Sequence, residues 1–114
     1  MTQLYFNPSS GTLFAGVFNS LSDGGLKENV GVIDGYNLIN KIHPVSFNWK
    51  NTGKKSYGVI AQELESFIPE LVETNEEGIK SVSYTPMIAI LIDVILKQQK
   101  EIEDIKKYMN NKEA

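Results

Sequence analysis

The fold of this chain is decided by the stretch from Thr85 to Met109, TPMIAILIDVILKQQKEIEDIKKYM. Within it, apolar residues and one glutamine recur at spacings of 3, 4, 3, 4, 3 and 4, at positions Ile88, Leu91, Ile95, Gln98, Ile102, Ile105 and Met109. This is the a/d pattern of a heptad repeat, which places a narrow apolar seam along one side of a helix. Thr85 can cap such a helix, with Pro86 in its first turn. We therefore predict a long C-terminal helix that pairs with other helices.

The residues on this seam favour an assembly of three chains. Isoleucine at both Ile102 and Ile105 shifts the preference from two strands toward three or more, while Gln98 at a d position fixes the register at a cost in stability. An alternative is an amphipathic helix that lies on its own domain, and the apolar residues within 90–94 add surface for such packing. We predict a homotrimer whose coiled coil spans residues 85–114.

Residues 22–84, which precede this helix, predict a small α/β head. Alternating apolar residues within 43–49 and an apolar run at 57–60 predict two strands, joined as a β-hairpin through a loop rich in turn residues. Residues 61–68 predict a short helix that ends before a proline. Residues 78–84 predict a further strand.

Other parts of the head are less regular. Residues 28–40 fit one short helix or two pieces broken near Gly35, and residues 70–77 predict an acidic loop. Phe47, Trp49 and Phe67 are spaced as on a strand or a helix, so we expect them to fill the core.

Residues 1–21, MTQLYFNPSSGTLFAGVFNSL, contain no charged side chain and predict two short strands around a Pro-Ser-Ser-Gly turn. This stretch has no core of its own, so we expect it to be the end of a longer β-rich stalk. The predicted fold class is α+β in three parts, which are a β stalk segment at 1–21, a head with a β-hairpin and short helices at 22–84, and a trimeric coiled-coil helix at 85–114.

Composition excludes several classes of function. The net charge of -3 and the absence of a basic sequence cluster argue against binding to nucleic acid or to an anionic membrane. No apolar run approaches the length of a membrane span. Cysteine is absent and His43 is the single histidine, so we expect no metal, no disulfide and no cofactor.

Seven blocks of the sequence occur in a characteristic order and spacing. They are FNSLSD at 18–23, LKENV at 26–30, HPVSFNW at 43–49, GVIAQELE at 58–65, IPELV at 68–72, KSVSYTPMI at 80–88 and the heptad helix. Together they resemble the endosialidase-type intramolecular chaperone, a self-cleaving domain at the C-terminus of bacteriophage tail fibres and tailspikes that also occurs in myelin regulatory factor. Any one block is weak, whereas seven in order are specific.

The resemblance implies a function. Such domains form homotrimers, assist the folding of their own N-terminal β-rich fibre domain and then release themselves by autoproteolysis. The protein would thus be part of a virion tail fibre precursor that assembles in the host cytoplasm. Ser22 matches the nucleophile and Lys27 the general base of a serine-lysine dyad, and the cut is usually placed at the following bond, here Ser22–Asp23.

The proposed chemistry makes demands on the local structure. A lysine can activate a serine only where burial lowers its pKa from about 10.4 toward neutrality, so we expect Lys27 to be shielded from water. If Gly24 and Gly25 form a two-residue hairpin turn, Ser22 lies opposite Lys27 with their Cβ atoms roughly 5 Å apart. Alternatively, the dyad forms between chains of the trimer. Gly25 stands where the family commonly has arginine, which would weaken or slow cleavage.

Other interpretations of the same residues remain open. Without the resemblance, Ser22 to Lys27 predicts a solvated turn in which Ser22 or Asp23 caps backbone amides. Gln62 and Glu63 are expected to be solvated or capping groups. A non-cleaving trimerisation module that stays on the fibre tip, or a coiled-coil adaptor that binds a separate helical partner, would use the same heptad seam.

Overall fold

The computed structural model describes residues 3–113, which form short antiparallel hairpins, two short α-helices and one long C-terminal helix. In chain order, the elements are β1 Leu4–Asn7, β2 Thr12–Ala15, a 3₁₀ turn Gly24–Leu26, α1 Gly35–Ile39, β3 Val45–Asn48, β4 Lys55–Gly58, α2 Ala61–Glu65, a 3₁₀ turn Pro69–Leu71, β5 Val72–Thr74, β6 Lys80–Val82 and α3 Thr85–Glu113. The mixed class of the prediction is confirmed. Within the described part of the chain, no helix is long and apolar enough to cross a membrane.

The chain divides into two compact units that alternate along the sequence. The first unit comprises residues 1–30 and 45–58, and the second comprises residues 31–44 and 59–114. The first therefore contains β1 to β4, and the second contains the three helices with β5 and β6.

In the first unit, β1 and β2 pair with each other in a hairpin that runs from Leu4 opposite Ala15 to Asn7 opposite Thr12. The turn needs Gly11, whose φ of +73° is strained for any residue with a Cβ. Tyr5 and Phe14 stack across the strands with ring centroids 4.4 Å apart. Most of the hairpin's side chains remain exposed, as expected for strands that lack a core of their own.

The second hairpin of this unit joins β3 to β4, with Val45 opposite Gly58, and confirms the hairpin predicted from the alternating residues. Phe47 and Trp49 meet edge to face with centroids 5.0 Å apart. The prediction that Trp49 is buried is wrong for the single chain, because its side chain is 55% exposed. Alternation predicts which side chains share a face of a sheet, but it does not predict what covers that face.

The second unit is held by a small apolar core. Its buried members are Leu64, Ile68, Leu71 and Met87, and the half-buried residues that pack against them are Leu38, Ile42, Val59, Val72 and Val82. Helix α2 supplies Leu64, and the 3₁₀ turn at the proline that follows supplies Leu71. Phe67, predicted to be in the core, is 60% exposed.

The stretch predicted as an acidic loop contains a strand. Residues 72–74 form β5, which pairs with β6 from Val72 opposite Val82 to Thr74 opposite Lys80. Lys80 is half-buried and lies 2.9 Å from a carboxylate oxygen of Glu65, which connects this hairpin to α2. The glutamate within β5, Glu73, is exposed, so its charge is compatible with a strand at the surface.

Helix α3 presents two apolar faces. Met87, Ile90 and Val94 are buried. The apolar heptad positions are 47–61% exposed, and these are Ile88, Leu91, Ile95, Ile102, Ile105 and Met109. Gln98 is exposed as well. The long helix is therefore as predicted, and the seam lies uncovered on the single chain.

A polar clamp fastens α1 to α3. The backbone N–H of Gly35 donates to Asp93 Oδ2 over 2.8 Å, and a Cβ at position 35 would lie 2.5 Å from that oxygen. A Cβ there would displace the Asp93 carboxylate and crowd Val94 Cγ2 at 3.1 Å, so glycine at position 35 permits this hydrogen bond. Tyr36 adds a second link by donating to Glu101 Oε2 over 3.0 Å. Gly35 thus begins the one helix within 28–40 rather than breaking a longer one.

Asp93 is held in its charged form. The Lys97 ammonium, 2.7 Å away, and then the Gly35 N–H lower the pKa of Asp93 below its ordinary value of 3.8, because both hydrogen bonds favour the carboxylate. The stabilisation is therefore present above pH 3.8 and is lost as the pH falls through the lowered folded-state pKa.

We expect Asp93→Asn to reduce the loss of thermal stability between neutral pH and pH 3, because the variant has no carboxylate to protonate at the clamp. Thermal unfolding followed by circular dichroism across that range tests this. Asp104→Asn is the matched control, since Asp104 pairs with Lys100 at the same helical spacing but is more exposed, with 58% of its side chain accessible. Equal acid sensitivity of the wild type and Asp93→Asn would contradict the role of the clamp.

Candidate functional site

The candidate site is a turn from Ser22 to Lys27 that is built by an aspartate cap. Asp23 Oδ1 accepts a hydrogen bond from the Gly25 backbone N–H over 2.7 Å. The Asp23 carbonyl accepts from Leu26 N–H and the Gly24 carbonyl accepts from Lys27 N–H, which closes one 3₁₀ turn. Side chains of this type commonly satisfy the free amides at the start of a turn.

This turn brings the two predicted residues together within one chain. Lys27 Nζ donates to Ser22 Oγ over 2.7 Å. The two-residue hairpin predicted for Gly24 and Gly25 is wrong, because neither glycine has positive φ and the backbone makes a 3₁₀ turn instead. The Asp23 carboxylate accepts the hydrogen bond from the Gly25 amide, and this bond favours the 3₁₀ turn over a hairpin turn.

The site is open to water in the single chain. Ser22 and Lys27 are both exposed, so the expectation that Lys27 is shielded is wrong for the isolated chain. The apolar neighbours Leu21, Leu26 and Val30 are 87%, 73% and 84% exposed. Large apolar side chains that lie close to the pair in sequence and face solvent provide a surface on which another chain can pack.

The pair has the composition of a nucleophile and a base. A serine hydroxyl becomes nucleophilic when a neighbouring group takes its proton, and a neutral amine at hydrogen-bond distance can do this. In the arrangement seen here the amine donates to the hydroxyl oxygen, whereas catalysis needs the reverse direction. The two atoms are therefore at hydrogen-bond distance, and both side chains are open to water.

The remaining residues of interest lie elsewhere in the chain. Glu63 Oε2 is 3.4 Å from His43 Nδ1, and both side chains are more than half exposed. This agrees with the expectation of a solvated group at Glu63. The cap formed by Asp23 was predicted by the interpretation of residues 22–27 as a solvated turn. The Ser-Asp-Gly-Gly sequence is the pattern that predicts it.

Comparison with known proteins identifies the segment that contains this turn. A family model described as chaperone of endosialidase matches residues 22–73, beginning at Ser22 itself. The match supports an endosialidase-type intramolecular chaperone domain in this segment. The resemblance drawn from the sequence blocks is thereby confirmed. No curated protein sequence matches the chain. The match also supports an intramolecular chaperone role in a tail-fibre context.

Proposed function

We propose that this protein is a self-releasing intramolecular chaperone that trimerises through α3, assists the folding of a β-rich fibre placed before it and cuts the chain beside Ser22. The observation that carries the proposal is the 2.7 Å contact between Ser22 Oγ and Lys27 Nζ in a segment of a family classed among peptidases. The role would be that of a single-turnover endopeptidase, because each chain is its own substrate.

The reaction is an acyl transfer. Neutral Lys27 takes the hydroxyl proton as Ser22 Oγ bonds to a carbonyl carbon, and the proton passes to the departing backbone nitrogen as the peptide bond breaks. Water then hydrolyses the resulting ester, which restores the serine hydroxyl and leaves one new carboxylate and one new amine. The Asp23 cap serves this step by holding the turn in which the two side chains meet.

Trimer assembly would supply the desolvation that the single chain lacks. Packing of a neighbouring copy over Leu26 and Val30 would remove water from Lys27, and such burial favours the neutral amine. The uncovered heptad seam of α3 provides the attraction that brings the copies together. Cleavage would then wait until three chains have assembled, so that no chain loses its chaperone early.

The bond that is cut depends on whether Ser22 attacks a carbonyl of its own chain or of a neighbouring chain. Ser22 Oγ can reach the carbonyl of Leu21 in its own chain through a five-membered ring, which leads to a cut at Leu21–Ser22. Attack on its own carbonyl would need a strained four-membered ring. The cut at Ser22–Asp23, which the resemblance implies, therefore needs a Ser22 from a neighbouring copy. The released fragments of the two routes begin with Ser22 and Asp23 respectively.

We expect a fusion with a reporter domain before Met1 to appear as two fragments on denaturing electrophoresis, and its Ser22→Ala and Lys27→Met variants to stay intact. The Lys27→Met side chain keeps the length but cannot accept a proton. Lys107→Met, an exposed lysine on α3, is the control and should cleave like the wild type. The mass of the C-terminal fragment assigns the bond.

An intact wild-type fusion that still has the mass of three chains would reject autoproteolysis and favour the non-cleaving module. The exposure of Lys27 and the glycine at position 25 are the observations that favour this second candidate. A wild-type fusion that is both intact and monomeric would reject both.

We expect Asp23→Ala to slow release by roughly 2- to 30-fold, the size of effect that follows loss of a helix N-cap. Asp23→Asn retains a side-chain oxygen that can accept from Gly25 N–H, so its rate should stay close to that of the wild type. A time course of fragment formation measures all three rates. Release of Asp23→Ala at the wild-type rate would show that the cap does not position the dyad.

We expect Ile102→Glu to convert a trimer into single chains and to abolish release, because a buried charge in the seam is costly. Multi-angle light scattering gives the mass, and electrophoresis of the reporter fusion gives the release. Tyr108→Glu is the control, since Tyr108 is 59% exposed on α3 against 52% for Ile102 but lies outside the a/d positions. A monomeric wild-type chain would contradict the trimer directly.

A further inference from the structure

A groove lies between the turns of the two hairpins of the first unit. It has a volume of about 540 Å³, and its walls are the β1–β2 turn on one side and the β3–β4 turn on the other. The polar and aromatic side chains that line it are Ser10, Thr12, Trp49, Asn51, Thr52 and Lys54. The volume is within the range of about 300–1,000 Å³ that is typical of small-molecule sites.

The β3–β4 wall of the groove is rigid. Trp49 N–H donates to the Lys54 carbonyl over 2.9 Å, and Gly53 N–H donates to the Trp49 carbonyl over 2.7 Å. The Asn48 side chain adds a bond of 3.0 Å to the Gly53 carbonyl. A turn fixed by this many hydrogen bonds loses little conformational freedom when a ligand binds.

The β1–β2 wall is ordered in a similar way. Ser9 Oγ donates to Asn7 Oδ1 over 2.7 Å, and Ser10 Oγ donates to Thr12 Oγ1 over 2.8 Å. Gly11 N–H donates to the Asn7 carbonyl over 2.8 Å. The groove is therefore lined by hydroxyl groups that can each donate and accept further hydrogen bonds.

The aromatic part of the groove is exposed. Trp49 is 55% exposed, and Phe47 supports it by the edge-to-face contact. An indole of this kind offers an apolar face with a polar N–H at its edge. A ligand that suits it must present an apolar face to a ring and hydroxyl groups to the walls, which is the chemistry of a pyranose sugar.

The charge near the groove is positive. Lys54 lines it, and Lys50 and Lys55 flank it in sequence. No aspartate or glutamate occurs between Gly35 and Gln62, although the whole chain carries a net charge of -3. A carboxylate on the ligand would therefore find an ammonium partner and no acidic residue from this hairpin.

We propose that this groove binds an anionic saccharide of one or two rings, with one ring on Trp49, hydroxyl groups on Ser10 and Thr52, and a carboxylate on Lys54. The proposal is independent of self-cleavage. A nucleic acid strand fits less well, because it presents a phosphate at every nucleotide whereas a single lysine lines the groove. An acidic peptide would not use the hydroxyl-lined wall.

Trp49 is the only tryptophan in the chain, so its fluorescence reports this groove directly. The titration uses the full chain with Ser22→Ala, which keeps both hairpins on one polypeptide. The probes are digalacturonate, neutral maltose, a short single-stranded oligodeoxynucleotide and a tetraglutamate peptide. We expect a saturable change with digalacturonate and an affinity for maltose at least tenfold weaker.

Two further variants test the contribution of the β3–β4 turn to binding. Lys54→Gln should weaken digalacturonate binding at least tenfold and leave maltose unchanged, whereas Lys107→Gln on α3 should change neither. Thr52→Val should weaken both sugars. Circular dichroism confirms that each variant is folded. Absence of a saturable signal with digalacturonate, tighter binding of the oligonucleotide or the peptide, or insensitivity to Lys54→Gln would each overturn the proposal.

Discussion

Helix α3 has two apolar faces that are each more stable when buried, and the packing of its unit follows from that constraint. Its own unit covers one face by packing Leu64 and its neighbours around Met87. The clamp from Gly35 to Asp93 then holds α1 along the same helix through backbone and charge contacts. Over residues 3–113, the apolar side chains of the heptad face remain 47–61% exposed. A helix that is packed on one side and exposes a second apolar face is suited to self-association, because each copy presents the same exposed face.

The candidate site depends on a much smaller interaction. A single carboxylate, that of Asp23, sets the turn in which Ser22 and Lys27 touch. The turn is made of contacts within residues 22–27. What it lacks is an environment without water. In the proposed function the geometry is local whereas the desolvation would come from other chains, and this separation would keep the peptide bond intact until assembly.

Periodicity predicted the elements whose side chains alternate or repeat cleanly. The seam of α3 and the β3–β4 hairpin follow from such patterns, and the approach of Ser22 to Lys27 was expected only because of the resemblance to a family. The 3₁₀ turn was missed because a side-chain cap competes with the hairpin that two glycines suggest. Strand β5 was missed because an exposed glutamate obscures a short strand. The exposure of Trp49 and Phe67 could not be predicted, since a periodic pattern identifies a face without identifying its cover.

The two hairpins of the first unit lie on opposite sides of Ser22 in the chain. The proposed cut beside Ser22 would therefore leave the β1–β2 hairpin on the fibre and the β3–β4 hairpin on the chaperone. The walls of the groove would then belong to different molecules, held only by what lies between them. Departure of the chaperone would divide the groove into two halves, so anything bound there would act as a bridge that delays separation of the products.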